Sequence, residues 1–258
     1  MLTIKALPTW AKTPLRPLRD AALRAPYYGL GRWCPVCGRS SRRFLPGRFK
    51  RPEAACLHCG ALERMRLAWL YFTTRTNLFD GRPRRMLHVA PERCFVPLLR
   101  ARLGSGYMTA DIRPGRADVV MDLTAIQYDD ATFDTIYCSH VLEHIPDDRK
   151  AMAELRRVLK PDGWAVLLVP VDDGPTFEDA TITDEVNRLA HFGQEDHVRR
   201  YGPDYLDRLR EARFDVTVTT PMDLCGGLHE LKRAGLATRW AGDIYTCTAS
   251  RSRSPVDH

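Results

Sequence analysis

From Arg84 onward the chain alternates short apolar runs with segments of helical period, and this alternation constrains its fold more than any other feature. Met86–Ala90, Tyr107–Asp111, Val119–Asp122 and Phe133–Cys138 read as strands. Phe95–Leu103 and Asp147–Leu159 read as helices, the second with Met152, Leu155 and Leu159 on one face. Trp164–Val169 is apolar throughout, as in a strand covered on both sheet faces. After an insert, Asp204–Ala212 reads as a helix, and Phe214–Thr220 and Asp243–Thr248 as late strands. Such alternation predicts a doubly wound α/β domain with a largely parallel sheet. Ligands of these sheets bind outside the carboxyl ends of the strands, so Ala90–Cys94, Asp111, Asp122 and Ser139–His144 should converge on one crevice.

The composition fits that picture. The chain has 258 residues, 44% hydrophobic and 28% charged, enough apolar side chain to bury a sizeable core. Its longest apolar run, Trp164–Val171, includes a proline and falls far short of the ~20 residues that span a bilayer. No stretch reads as a secretory signal, so a cytoplasmic location is expected. The formal charge of +7 hides two halves of opposite sign. Residues 1–86 hold 18 Lys and Arg against 4 Asp and Glu, net +14, and the remainder carries 21 against 28, net −7.

Within the basic third, Cys34-Pro-Val-Cys37 and Cys56-Leu-His-Cys59 are separated by eighteen residues and each is followed by a glycine. The spacing predicts a structural Zn2+ held by Cys34, Cys37, Cys56 and Cys59, with Gly38 and Gly60 permitting the turns that bring backbone N–H groups to the sulfurs. Disulfides are the competing reading, disfavoured in a reducing compartment. His58, between ligands, is expected at the surface. The stretch Arg39–Arg51 interleaves Phe44 and Phe49 with six cations. Such a pattern can bind single-stranded nucleic acid, but a small module also needs those rings for its own core, and packing under the metal is the favoured reading. The organisation expected is a basic, proline-punctuated arm over 1–30 with one short helix near Leu18–Arg24, a four-cysteine module over 31–62, a linker helix within 63–83, the α/β domain over 84–250 and a tail over 251–258.

Phe133-Asp-Thr-Ile-Tyr-Cys-Ser-His-Val-Leu-Glu-His-Ile145, followed by Leu155-Arg-Arg-Val-Leu-Lys-Pro-Asp-Gly163, resembles class I S-adenosylmethionine (SAM) dependent methyltransferases of the type 11 group. The resemblance covers residues 84–250 and is strongest over 107–170. It implies a Rossmann-like seven-stranded sheet and SAM as cofactor. Asp111 matches the acid that holds the ribose hydroxyls, Asp122 and Leu123 match the adenine contacts, and Ser139 and His140 match residues lining the methionine and its methyl. The fusion to a four-cysteine module resembles bacterial methyltransferases associated with glycan or specialised-metabolite pathways.

The first loop departs from that family. It reads Leu87-His88-Val89-Ala90-Pro91-Glu92-Arg93-Cys94, with His88 in place of the usual acid and Ala90, Glu92 and Cys94 at glycine positions. His88, Ala90, Pro91 and Glu92 remain the cofactor-binding candidates of this loop. Glu92 is expected either to meet the methionine ammonium or to cap the following helix.

The insert Leu189–Gly202 concentrates polar side chains, and the resemblance implies that this connection overlies the acceptor side of the crevice. His191 and His197, with His140 after the fourth strand of the domain, are candidate bases or acceptor ligands, because imidazole titrates near neutrality. His144 is expected to face inward as a satisfied histidine. Arg199, Arg200 and Tyr201 are candidates for holding an anionic acceptor. No Asn/Asp-Pro-Pro-Tyr follows the fourth strand and no Pro-Cys pair occurs, which disfavours amine methylation of bases and pyrimidine C5 attack. A small-molecule or glycan-precursor acceptor is therefore expected. Methylation of RNA bound through residues 1–86 is the alternative, and a non-catalytic SAM-fold adaptor a third.

Overall fold

The computed structural model of the protein describes residues 23–48 and 51–250. The described residues fall into two compact units, one within 23–69 together with 225–241, the other of 70–224 with 242–250. The sheet unit is thus discontinuous in sequence, although 84–250 reads as one stretch. Phe49 and most of the Leu18–Arg24 helix expected in the arm lie outside the described residues, as do the arm up to residue 22 and the tail.

In the first unit, β1 (Arg32–Trp33) pairs antiparallel with β2 (Ser40–Ser41), and α1 (Glu63–Thr74) begins after the second cysteine pair. Gly38 and Gly60 both take left-handed backbone, at φ 69° and 75°, and donate their N–H groups to Cys34 O and Cys56 O. A side chain in that conformation is strained, which explains glycine after each pair. Phe44 is fully buried and lies under the Arg66 guanidinium, 3.9 Å from ring centroid to Cζ. Gly235, also left-handed, has no room for a Cβ, which would stand 2.5 Å from the Phe44 ring.

Arg66 is itself fully buried. Its fork donates to the carbonyls of Ala54 and Ala61 at 2.7 Å, Ala234 at 2.8 Å and Gly235 at 3.2 Å. One side chain thereby joins both flanks of the second cysteine pair to the segment 225–241, in which Leu228–Arg233 forms a short helix. The sequence carries no periodic signal for that long-range clamp.

The second unit is built on seven strands: β3 (Met86–Val89), β4 (Tyr107–Asp111), β5 (Val119–Val120), β6 (Phe133–Ser139), β7 (Leu159–Leu168), β10 (Phe214–Thr219) and β11 (Ile244–Ala249), while β8 (Phe177–Glu178) and β9 (Arg199–Arg200) form a separate ribbon in the insert. Their order is β10-β11-β7-β6-β3-β4-β5, with β11 antiparallel to both neighbours and β3 to β7 mutually parallel. All four residues of β3 are buried, as a strand covered on both faces requires. The main helices are α2 (Val96–Leu103), α3 (Asp148–Val158), α4 (Glu185–Phe192) and α5 (Tyr205–Glu211). Asp147 caps α3 by accepting from Lys150 N at 3.0 Å, and Ala151, Met152, Leu155 and Val158 form its buried face.

The strand expected from Trp164 begins five residues earlier. Leu159 pairs with Phe133 and Trp164 with Thr135, so Lys160–Gly163 bulge out of the ladder and Lys160 Nζ reaches Asp134 at 2.7 Å. The helix therefore stops at Val158, one residue short of the expected end.

Candidate active site

The strand order reverses between β3 and β6: β4 and β5 lie on one side of β3, and β6 and β7 on the other. Crevices form at such switch points. A cavity of about 480 Å³ opens there, floored by Val89 and Ala90 at the end of β3 and flanked by Asp111 and Ile112 after β4. Met121–Thr124 after β5 and Val141 with His144–Asp147 after β6 complete it.

The two acids expected to bind cofactor are held alike. Asp111 Oδ1 accepts from Arg113 N and Asp122 Oδ1 from Thr124 N, both at 2.8 Å, closing a turn two residues ahead. Thr124 Oγ1 donates to the same Asp122 oxygen, and its backbone and side-chain bonds hold that carboxyl below the usual carboxylate range. Leu123 is buried beside it. Val141, within the stretch expected there, adds an apolar wall with Ile112, Met121, Ile145 and Pro146, which sequence reasoning did not single out; nothing but their position near strand ends marks them.

Of the first-loop candidates, only Ala90 lines the cavity. It keeps left-handed backbone, φ 47°, although it is not glycine. The turn geometry of a glycine loop is thus preserved with a methyl group added to the wall. His88 is fully buried, with Nδ1 2.7 Å from Tyr107 Oη and Nε2 2.6 Å from Glu92 Oε2. Tyr137 Oη donates to Glu92 Oε1 at 3.3 Å. The Glu92 carboxylate is therefore turned toward the buried face of the sheet, and no side chain caps α2. Pro91 is half-buried and outside the cavity lining.

After β6, Ser139 is buried with no hydrogen bond to Oγ among the described residues, and His140 takes left-handed backbone at φ 57°. Neither lines the cavity; His144 does. His140 Nδ1 stands 3.2 Å from Glu143 Oε1, an ion-pair distance without hydrogen-bond alignment. Burial raises the fully enclosed Glu143 carboxyl, but His140 and His144 outweigh it and hold the group below its ordinary range.

The insert divides its histidines. His191, on α4, is exposed beside Phe177 and away from the cavity. His197 is buried edge-to-face against His144, with ring centroids 4.7 Å apart, and burial pushes its imidazole below the ordinary value. Arg199 and Tyr201, expected to face an anionic acceptor, are instead enclosed structural groups. Arg199 donates to the carbonyls of Leu142 at 3.0 Å, Ile145 at 2.5 Å and Pro146 at 2.7 Å, and Tyr201 Oη donates to Asp148 at 2.5 Å. They staple the insert to the loop that forms one cavity wall, and a buried cation needs those acceptors. Arg200 is exposed, 3.4 Å from Asp172.

In the other unit the four cysteine sulfurs converge. Cys34 Sγ lies 3.7 Å from Cys59 Sγ, and Cys37 Sγ 3.7 Å from Cys56 Sγ. Zn–S bonds of about 2.3 Å put tetrahedral sulfurs about 3.8 Å apart, so the four sulfurs fit a zinc ion and not disulfides. His58 N approaches Cys56 Sγ at 3.4 Å, and the His58 ring sits 3.0 Å from Ser40 O, outside the sulfur cluster. Burial pushes the Arg66 guanidinium below its ordinary value, and negative charge on Glu63, Cys34, Cys56 and Cys59 opposes that shift.

Residues 103–167 match the family described as a methyltransferase domain, type 11. The sheet unit shows the Rossmann-like seven-stranded sheet that the resemblance to class I methyltransferases implies. An uncharacterized methyltransferase, YcgJ, of Bacillus subtilis (strain 168) is 36% identical over 75 residues, 29% of this chain and 28% of that one. A ubiquinone biosynthesis O-methyltransferase of Paracidovorax citrulli (strain AAC00-1) is 30% identical over 95 residues, 36% of this chain and 40% of its own. The chain thus spans well under half the length of these curated methyltransferases. The crystal structure of YcgJ superposes with TM-score 0.45 at 17% identity, covering 72% of this chain and 98% of that one. Among the described residues no helix is long and apolar enough to cross a membrane.

Proposed function

We propose that the protein is a SAM-dependent methyltransferase acting on a small-molecule or glycan-precursor acceptor, with a structural Zn2+ in the cysteine cluster. The observation that carries this reading is the switch-point cavity with Asp111 and Asp122 at adjacent strand ends, each presented by its own turn. The cofactor fits those residues. Asp111 would accept from the ribose hydroxyls, and Asp122 would face the adenine edge beside Leu123. Ile112 and Met121 supply apolar contact, and the main chain at Ala90 follows the course a glycine would allow.

When bound, SAM supplies an activated methyl on a sulfonium. The chain has then only to align an acceptor with it and exclude water. His144, on the turn after β6, lines the cavity and is the group placed to bind an acceptor or take its proton, with His140 and His197 beside it but off the lining. His191 is too far out on α4 for that part. Methyl transfer to oxygen is supported by the ubiquinone biosynthesis O-methyltransferase relative over its 95 matched residues. Calorimetry with SAM and S-adenosylhomocysteine tests the reading: micromolar binding of either is expected, and failure of both to bind the full chain refutes it.

A further inference from the structure

The turn after β6 reads His140-Val-Leu-Glu-His144, and the insert brings His197 against it. The Glu143 carboxylate is fully enclosed, and neither oxygen has a hydrogen-bond partner among the described residues. A buried carboxylate left in this way calls for a cation. His140 stands on one side of it at 3.2 Å, and His144 and His197 lie on the other.

The two imidazoles are oriented by backbone carbonyls. His144 Nδ1 is 3.1 Å from Asp196 O, and His197 Nδ1 is 3.3 Å from Phe192 O. A carbonyl only accepts, so both Nδ1 atoms carry the proton and both Nε2 atoms keep a lone pair. Metal-bound histidines are held in this manner. The ligand atoms of Glu143, His144 and His197 all lie within 4.8 Å of one another.

We propose that Glu143, His144 and His197 form a site for a divalent transition-metal ion. Two imidazoles and a carboxylate are the donor set of open zinc and iron centres, unlike the four thiolates of the other cluster. Metal–nitrogen bonds of about 2.0 Å require donors about 3.3 Å apart in a tetrahedron, so the three side chains close inward on binding. The Gln194 amide, 2.8 Å from His197 Nε2, gives up that nitrogen. Two ligands come from the turn after β6, of which His144 lines the cavity, and the third from the insert, so the ion ties the insert to that turn. Its role rests on the methyltransferase reading: the remaining coordination positions suit an acceptor that carries hydroxyl or carboxylate oxygens. The site itself does not depend on that reading.

The full chain, as purified with its cysteine-bound metal, is titrated with CoCl2 while bound metal is counted and visible absorption recorded. One further equivalent is expected, with d–d absorption and no accompanying thiolate charge-transfer band. His144→Ala and the isosteric Glu143→Gln should each weaken it about tenfold or more. His144 is partly exposed, and a circular-dichroism melt verifies that its variant folds. Absence of a further equivalent, a thiolate band accompanying it, or wild-type affinity in both His144→Ala and His197→Ala overturns the site. Calorimetry with S-adenosylhomocysteine in metal-free buffer reads the other question separately. Nucleoside binding without a second metal removes only the metal site, and a second metal without nucleoside binding removes only the methyltransferase reading.

Discussion

Glu92 Oε2 lies 2.6 Å from His88 Nε2, so two residues that replace an acid and a glycine of the resembled loop are partners of one another. Tyr107 Oη occupies the other imidazole nitrogen, which leaves Nε2–H to donate to the carboxylate. An acid is thus retained in this loop, four residues later, but facing the Tyr137 hydroxyl and not the cavity. Glu92→Ala strands His88 and removes one acceptor from Tyr137. A loss of about 1–3 kcal/mol is expected, or roughly 3–8 °C in thermal midpoint for a domain of this size. Glu92→Gln, which still accepts from Nε2–H, should recover most of it. S-adenosylhomocysteine affinity, measured on the same samples, should change less than about threefold, because the lost bond lies outside the cavity lining.

Asp111 and Asp122 should behave in the opposite way. Their carboxylates stand at the cavity edge and contribute one oxygen each to a local turn, so removing them disturbs little packing. Hydrogen bonds to a charged group are worth about 1.5–3 kcal/mol. Asp111→Ala should therefore weaken S-adenosylhomocysteine binding by roughly ten- to a hundredfold at nearly unchanged thermal midpoint, and Asp122→Ala by a smaller factor in the same calorimetric series. A wild-type affinity in Asp111→Ala would remove the ribose assignment.

Strands β3 and β6 and the end of β7 were legible because each is a largely buried, mostly apolar run, whereas β5 and β10 are partly exposed and followed from the alternation of the whole domain. The positions of Asp111, Asp122 and Ala90 in the crevice followed from a rule about strand ends, which needs no side-chain detail. What stayed hidden was the direction in which polar side chains point. Arg199 and Tyr201 read as acceptor ligands because their sequence neighbours are polar, but their partners are carbonyls and an acid more than fifty residues earlier. Glu143 went unremarked although it sits between His140 and His144. Its burial comes from the turn at the end of β6, a tertiary fact without sequence period. The assignment of residues 225–241 to the four-cysteine unit is hidden for the same reason, since it depends on one arginine finding two carbonyls some 168 residues away.

Arg66 supports the cysteine cluster through hydrogen bonds on both flanks of its second pair. Arg66→Ala leaves four carbonyls without their donor in a buried space, at a cost of about 3 kcal/mol or more. Arg66→Lys should fare little better, because a single ammonium cannot span acceptors arranged for a planar fork. The expected readout is faster loss of bound zinc to a chromogenic chelator, by about tenfold or more in both variants. Zinc release unchanged in Arg66→Ala would show that the cysteine loops hold their shape without it.

Glu178 ties the insert together from its exposed edge. Its carboxylate accepts from Arg208 at 2.9 Å and from Arg199 at 2.9 Å, and the Arg208 bonds, with help from Arg199, lower the group from 4.5 to about 2. The folded state therefore holds the carboxylate more tightly than the unfolded chain. Its contribution is complete above pH 4.5 and is lost as pH falls toward about 2. The side chain is 45% exposed, so solvent screening reduces the effect to the order of 0.5–1 kcal/mol. Urea midpoints of wild type and Glu178→Gln should differ by that amount at pH 6 and converge only as pH falls to about 2. Arg199 also donates to Leu142, Ile145 and Pro146, so protonating Glu178 removes one of the bonds that aim the guanidinium at the cavity wall. Proteolysis within the insert should accordingly rise in Glu178→Gln at pH 6 relative to wild type, and an equal rate in the two proteins would show that the three carbonyls suffice to hold Arg199 in place.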